Sequence, residues 1–588
     1  MRELKSVGTD RRSFLKGAAL VGAGVAVTGL AAACTPSSTG DDETSPSPTT
    51  GGEAPSSDIM TPEDLQKKWA FEIPPDPIPE DQIAETVAAD LVVVGCGTSG
   101  LLTAISAQAH GLANVVIVSA SQAPVSRGGS NNCVYSKYME EVGLAKIPII
   151  HYQREISQMY NNCNQALWYR FYNNSTEAMN YLIDLMTSKG YYVGMERAAD
   201  IPEDDLYYQP FCSHAFLDGG EFSTPGTAQP LLVKTVAEEF QAKGGAIHFG
   251  HKAEQLIRDD NNTGRVSAVI AKRLEDDAYV KFTAAKAIVL AMGDFSKNRD
   301  MMYKYAPHFA PVLDEQGVFD TPVDYDKGLD PFSPGLMNGD GHMMGLWIGA
   351  AWQKNNPNTL MGSTFSAGVA GTYAQNFPGL IVDRNGKRFM NEFASARMAG
   401  MSMLHTDGSQ VFAIWDANYA SYPGMWYDTW DAKSPVTAPD AVMAGWDTGV
   451  ENGFYFKADT LDDLITQLGL PPEETKATIE RYNQLCEAGE DTDFYKRKEG
   501  LNAITTGPFY GSKSGARDFL TVLGGLRTNT DLQVCEEDDT PIPGLYNVGT
   551  MIGDLYGGVY TFQLQGVNYG ASCVTFGYLT GKLIAESA

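Results

Sequence analysis

The sequence predicts an α/β fold organised around a Rossmann-like dinucleotide-binding unit, and three consecutive features predict it. Asp90 to Val94 is a short, valine-rich apolar run of the kind that forms a strand buried on both faces. Gly95, Gly97 and Gly100 then keep G-x-G-x-x-G spacing, and Leu101 to Ala109 continues as a helix. Val115 to Val118 supplies a second apolar strand at the distance a β-α-β unit requires. The glycines permit a tight turn, approach of backbone to phosphate, and close packing of helix on strand. A pyrophosphate would sit on the helix N-terminus, where unpaired amides and the helix dipole favour an anion. Gly95, Gly97, Ser99 and Gly100 are therefore candidate cofactor-binding residues. Ser119 occupies the position of the acid that ordinarily ends the second strand and holds the adenosine ribose. Its hydroxyl can still hydrogen-bond ribose, without charge assistance.

Upstream, Asp10-Arg11-Arg12-Ser13-Phe14-Leu15-Lys16 is a twin-arginine run, the address of an exporter that moves folded proteins. Gly17 to Ala33 is small and apolar, which suits a signal segment better than a permanent anchor, so residues 1–33 read as a twin-arginine (Tat) signal peptide. Leu30-Ala31-Ala32-Ala33-Cys34 resembles a lipoprotein cleavage box in which Cys34 takes a lipid and anchors the chain to a membrane. Plain cleavage at the alanine run is the alternative. Residues 34–58 are rich in Ser, Thr, Pro, Gly and acid and read as a disordered tether, with a short N-terminal segment at 59–87.

The length beyond the tether is enough for two domains. A net charge of −29 argues against nucleic acid or an anionic lipid surface as a partner. The eight cysteines include no C-x-x-C pair, which argues against zinc ribbons, ferredoxin-type clusters and attached haem; no metal site is expected.

Five further segments carry a family resemblance. Arg127-Gly128-Gly129-Ser130-Asn131-Asn132 resembles a GG-S/N loop, and Ala284 to Asn298 resembles the strand and turn AK-x-VILATGGF-x-x-N. Asn338-Gly339-Asp340-Gly341-His342-Met343-Met344 resembles a GDG-x-x-MA helix start. Thr540 to Gly549 resembles PIPGLYAAG, and Gly566 to Gly581 resembles a closing GGN…FGRIAG helix. Together, over residues 88 to 588, these resemble the FAD-dependent fumarate reductase, flavocytochrome c and 3-ketosteroid dehydrogenase superfamily. The resemblance implies FAD, bound non-covalently because the 127–132 loop lacks the histidine that carries a covalent link. It adds Gly128, Gly129, Ser130, Gly293, Asp340, Gly549, Thr550, Gly566 and Asn568 to the cofactor-binding set; Thr550 stands where an acid is usual. It also implies a discontinuous FAD-binding domain, 88–354 and 516–588, with an inserted α+β capping domain at 355–515. FAD loaded in the cytoplasm can leave the cell only inside a folded protein, which agrees with the twin-arginine run.

The substrate half departs from the fumarate reductases, which hold a dicarboxylate with two histidines and two arginines. The first histidine falls at Asn356-Pro357, the second at about Thr521, and one arginine around Leu564. The relay pair falls near Thr372 and Gln375, and no histidine follows His405. Gly386-Lys387-Arg388-Phe389-Met390-Asn391-Glu392 matches the family's GKRFMNE, and Arg397 after it is the one candidate for the proton-donating arginine. Gly553-Asp554-Leu555-Tyr556-Gly557-Gly558 instead resembles the GD-x-Y-x-G segment of ketosteroid dehydrogenases, which makes Tyr556 the second catalytic candidate. A neutral phenol suits protonation or polarisation of an uncharged conjugated alkene. Tyr560 and Gln563 follow within reach on the same loop, and His214 is a weaker candidate. Tyr373, Phe377, Trp415, Tyr419, Tyr422, Trp426, Tyr427 and Trp430 form an aromatic-rich stretch that could face a flat substrate or fill a core.

No second nucleotide fold or redox-centre motif is evident, so electrons are expected from a separate donor protein or a quinol pathway. The sequence thus points to an exported FAD enzyme reducing an activated C=C bond of a small, unsaturated acceptor, enone- or acrylate-like rather than fumarate. A dehydrogenase of steroid-like or phenolic substrates and a non-catalytic flavin electron-transfer protein are the alternatives. Replacing Arg11 and Arg12 together by lysine is expected to retain the chain in the cytoplasm on cell fractionation, and Cys34→Ser to release exported protein from the membrane fraction. Normal export of the first variant, or membrane retention of the second, would contradict these assignments.

Overall fold

The predicted dinucleotide unit lies in the middle of an eight-stranded sheet. The computed structural model describes residues 68–588 apart from 127, 197–202, 207, 220–227, 316, 324, 326–336, 363–378, 394–401, 404, 422–437, 516–517, 562 and 588. The leader, Cys34, the tether and Arg397 lie outside the described residues. Strand β1 (Ile83–Val94), helix α1 (Thr98–Ala109) and strand β2 (Val115–Val118) follow in order, with β1 and β2 parallel from Leu91↔Val115 to Val94↔Val118. β1 starts seven residues before the apolar run, so the segment boundary expected at 88 falls inside it. Its first half is mostly exposed and is held by pairing to a strand about 200 residues away, which the local apolar pattern could not reveal.

The chain continues through β3 (Asn131–Asn132), α2 (Ile149–Gln158), α3 (Gln165–Ser188), β4 (Tyr192–Met195), β5 (Ser213–Leu217) and α4 (Ala228–Ala242). The three strands form a small antiparallel sheet in the order β3-β5-β4. Then β6 (Ala246–His248) joins β2 in parallel, β7 (His251–Arg258) and β8 (Val266–Arg273) form an antiparallel pair, and β9 (Tyr279–Leu290) runs parallel to β1.

After α5 (Asp340–Trp347) and β10 (Asn358–Gly362) comes a second, antiparallel sheet. It consists of β11 (Leu380–Asp383), β12 (Gln410–Asp416), β13 (Phe456–Ala458) and β14 (Phe509–Gly515), ordered β11-β12-β14-β13. Helices α6 (Pro439–Glu451), α7 (Leu461–Leu468) and α8 (Pro472–Ala488) accompany it. Trp415 and Tyr419 are buried in this lobe, Trp415 packing edge-on against Trp446, so both fill a core. The other aromatics of that stretch lie outside the described residues.

β15 (Asp518–Leu523) pairs with β10, and β16 (Gln533–Cys535) and β17 (Pro541–Asn547) return to the large sheet, where β17 runs parallel to β9. The chain closes with a π-helical turn at Asn568–Thr575 leading into α9 (Phe576–Glu586). α9 packs on α1 at backbone distance. A Cβ on Gly581 would lie 2.1 Å from the Thr103 carbonyl oxygen, so only glycine allows this approach.

The GKRFMNE segment serves the lobe's own stability. Arg388 reaches Glu392 and Asp491 at 2.8 Å each, and Lys496 lies 3.4 Å from Glu392, with all four side chains buried. Burial alone would raise the Asp491 pKa, but Arg388 and backbone amides hold it down to about 2. Burial takes Lys496 down to about 8. Arg388→Met leaves two buried acids without their main partner and is expected to cost roughly 3–5 kcal/mol. Chemical denaturation would read this loss; unchanged stability would show that the network is dispensable.

Candidate active site

The site forms where the C-terminal ends of the parallel strands meet two remote segments, the location at which open α/β sheets hold ligands. Gly95 turns the chain out of β1 with φ +115°, and a Cβ on Gly100 would lie 2.0 Å from the Gly95 carbonyl oxygen. Gly97 caps α1, and the buried residues Thr98, Ser99 and Gly100 form its first turn. Thr98 donates to Gln229 of α4 at 3.0 Å, and Gln229 donates to Asn131 at 2.8 Å and, through its backbone, to Gly128 at 3.2 Å. One glutamine thereby ties the phosphate turn to the 128–132 loop.

That loop, described from Gly128 onward, lies against the C-terminal π-helical turn. Asn132 N donates to the Gly566 carbonyl at 3.0 Å, and a Cβ on Gly570 would lie 2.0 Å from the Asn132 carbonyl oxygen. Gly129 precedes Ser130, whose hydroxyl donates to Glu196 at 2.5 Å. Gly549 packs on Ser99, and the Thr550 carbonyl accepts from Gly524 at 2.9 Å. Asn568 accepts from Ser572 at 3.0 Å, and its amide donates to the Tyr560 hydroxyl at 3.4 Å. Asp340 opens α5 and accepts from Asn338 at 3.0 Å. Gly293 turns out of β9 with φ +82°. Ser121 spends its proton on the Ala123 carbonyl, so Ser119 donates to Ser121 at 2.8 Å and keeps its lone pairs available.

Tyr556 lies in a rigid loop. Trp168 of α3 donates to the Leu555 carbonyl at 2.7 Å, and Asp554 accepts from the Lys354 and Asn355 amides at 2.9 and 3.2 Å. The Tyr556 ring meets Trp168 edge-on at 5.7 Å, and its hydroxyl is buried. Burial, with Tyr560 and Glu155 nearby, pushes this phenol well above its ordinary pKa, so it stays protonated. Glu155, on α2, is enclosed and accepts from Thr561 Oγ1 at 2.5 Å and Thr561 N at 3.1 Å; burial raises its pKa. Gln563 accepts from Gln158 at 2.8 Å. His214 sits behind the 128–132 loop, bound to Ser136 at 2.8 Å and held neutral by burial at about 4.

Of the residues that the resemblance puts at or near the dicarboxylate clamp, Leu564 is buried in the apolar core and Asn356 is exposed. Thr521 donates to Asp294 at 2.8 Å. Asp294 also accepts from the Ser296 amide and hydroxyl at 3.1 and 2.8 Å. Sequence reasoning missed Glu155 and Asp294. Glu155 gives no signal within an amphipathic helix, whereas Asp294 replaces the second glycine of the matched ATGGF turn and was legible there.

The FAD binding domain family matches residues 90–566, most of the described chain. The chain belongs to this family. This FAD-binding-domain protein is 26% identical to a vinyl phenol reductase of Lactiplantibacillus plantarum, over 85% of this chain and 96% of that protein. It is 25% identical to a digoxin reductase of Eggerthella lenta, over 94% and 93% of the two chains. Its fold is similar to that of the 3-ketosteroid-Δ4-(5α)-dehydrogenase of Rhodococcus jostii RHA1, with a TM-score of 0.62, 20% identity, and coverage of 87% of this chain and 100% of that one. The protein is an FAD-dependent oxidoreductase acting on CH–CH groups. The cradle suits FAD: Thr550 Oγ1, Ser213 Oγ and both side-chain polar atoms of Gln565 are buried without protein partners, as groups awaiting a polar cofactor would be. Gly97→Glu would set a charged side chain at the phosphate turn and is expected to abolish FAD loading. Purified variant with full flavin stoichiometry by absorbance would contradict the assignment.

Proposed function

We propose that this protein is an exported FAD-dependent reductase of an activated C=C bond in a small conjugated acceptor, enone- or acrylate-like rather than fumarate. The observation that carries the reading concerns the positions where the resemblance puts the cationic clamp: among the described residues there, Leu564 lies in the apolar core, Asn356 in solvent and Thr521 on an acid. A dicarboxylate would forgo several charge-assisted hydrogen bonds, each contributing about 1.5–3 kcal/mol, so its binding would weaken by orders of magnitude. The reductase activities of the similar vinyl phenol and digoxin reductases support reduction as the direction.

When bound and reduced by the electron donor, the flavin of FAD would supply a hydride to the β-carbon of the substrate. The chain's residues then have to deliver a proton to the α-carbon and exclude water. Tyr556 and Arg397 are the proposed donors. The phenol of Tyr556 is held protonated by burial, and its loop is fixed by Trp168 and by the amides on Asp554. Gly97, Ser99, Gly128, Gly129, Ser130, Thr550 and Asn568 would hold the cofactor, with Ser119 accepting from the ribose. Electrons would come from a separate donor protein or a quinol pathway outside the cytoplasm, with the enzyme tethered through a lipid on Cys34.

Steady-state turnover with reduced viologen tests the reading. Measurable reduction of a neutral enone and negligible reduction of fumarate are expected. Tyr556→Phe is expected to slow the enone reaction about 10²-fold while flavin content is unchanged. If Arg397→Ala abolishes activity and Tyr556→Phe does not, the arginine is the donor; efficient fumarate turnover would overturn the proposal.

A further inference from the structure

Two departures from the matched sequence patterns, 227 residues apart, meet in space. Asp294 stands where the ATGGF turn has its second glycine, and Thr521 stands at about the position where the resemblance puts the second histidine of the dicarboxylate enzymes. Their side chains are hydrogen-bonded at 2.8 Å, and both residues are buried. Asp294 follows Gly293 at the C-terminal end of β9, and Thr521 lies in β15, three residues before Gly524, whose amide binds the Thr550 carbonyl. The pair therefore borders the cofactor cradle.

Asp294 accepts three hydrogen bonds, from Ser296 N, Ser296 Oγ and Thr521 Oγ1, and forms no ion pair among the described residues. Among the described residues, the neighbouring His342 and Lys297 supply Asp294 no compensating positive charge. His342 packs on Phe295 and binds the Gly524 carbonyl at 3.1 Å, and burial keeps it neutral, down to about 4. Lys297 is turned away to the Val318 carbonyl and Thr321. A position that offers a donor to a carboxylate in one group of enzymes here has its donor already committed to a buried carboxylate. An anion brought beside it would meet like charge in a poorly solvated site, where such repulsion is weakly screened.

We propose that Asp294 and Thr521 form a charge filter that excludes free carboxylic acids and restricts the enzyme to uncharged conjugated alkenes, such as enones, esters or vinyl arenes. This narrows the proposed function and rests on it. Asp294 is assigned as a specificity-determining residue and takes no part in hydride or proton transfer.

The test uses the full-length holoenzyme and a matched pair, cinnamate and methyl cinnamate. Dissociation constants are read from the perturbation of the flavin absorption spectrum, whether or not either compound is reduced. The wild type is expected to bind the ester at least 100-fold more tightly than the acid. Asp294→Asn is expected to tighten acid binding at least 10-fold and to leave the ester within 3-fold. Thr521→Val, which removes one donor from the carboxylate without removing its charge, is expected to keep the discrimination against the acid, and it serves if Asp294→Asn does not load flavin. Equal binding of acid and ester by the wild type, no binding of the ester, or an equal change for both compounds in Asp294→Asn overturns the filter. So does loss of the discrimination in Thr521→Val. Preferential ester binding without turnover of any neutral alkene would instead support the filter and sink the proposed reaction.

Discussion

The structure depends on backbone contact between segments more than 400 residues apart. The C-terminal turn and α9 lie on the 128–132 loop and on α1 so closely that side chains at Gly570 and Gly581 would overlap carbonyl oxygens of Asn132 and Thr103. These contacts bring the two parts of the cofactor cradle together and leave the intervening chain to form a separate antiparallel sheet. A cradle built this way resists drift because the interior is close-packed and has no slack to take up. The same approach sets Thr550, Asn568 and the Tyr556 loop around one locus, so cofactor and substrate groups are positioned by the same packing.

A second constraint is electrical. The buried acids Glu155 and Asp294 are satisfied by threonine hydroxyls and backbone amides, and neither forms an ion pair among the described residues. His214 and His342 are neutral through burial. Under the proposed function, this set of neutral groups among the described residues suits a substrate whose reactive alkene is polarised by an uncharged group.

Much of the cofactor half was legible because its demands are local. The strand, glycine turn and helix at 90–109 form a self-contained signal. The first half of β1 was not legible, since its stability comes from pairing with β9 rather than from its own apolar pattern. Tyr556 could be named from its motif, but its enclosure against Trp168 depends on α3, far away in sequence. Glu155 was hidden for the same reason: a buried acid within an amphipathic helix declares itself only through the groups that surround it. Arg388 shows the reverse case, a motif legible as sequence whose side chain turns out to stabilise the lobe.

The most direct test of the account is a single oxidative half-reaction followed by rapid mixing. Photoreduced holoenzyme would be mixed anaerobically with a neutral enone or with fumarate, and recovery of the oxidised flavin's visible absorption recorded. The account predicts fast, saturable recovery with the enone and a persistently bleached flavin with fumarate. Rapid recovery with fumarate, or none with any neutral conjugated alkene, would contradict it.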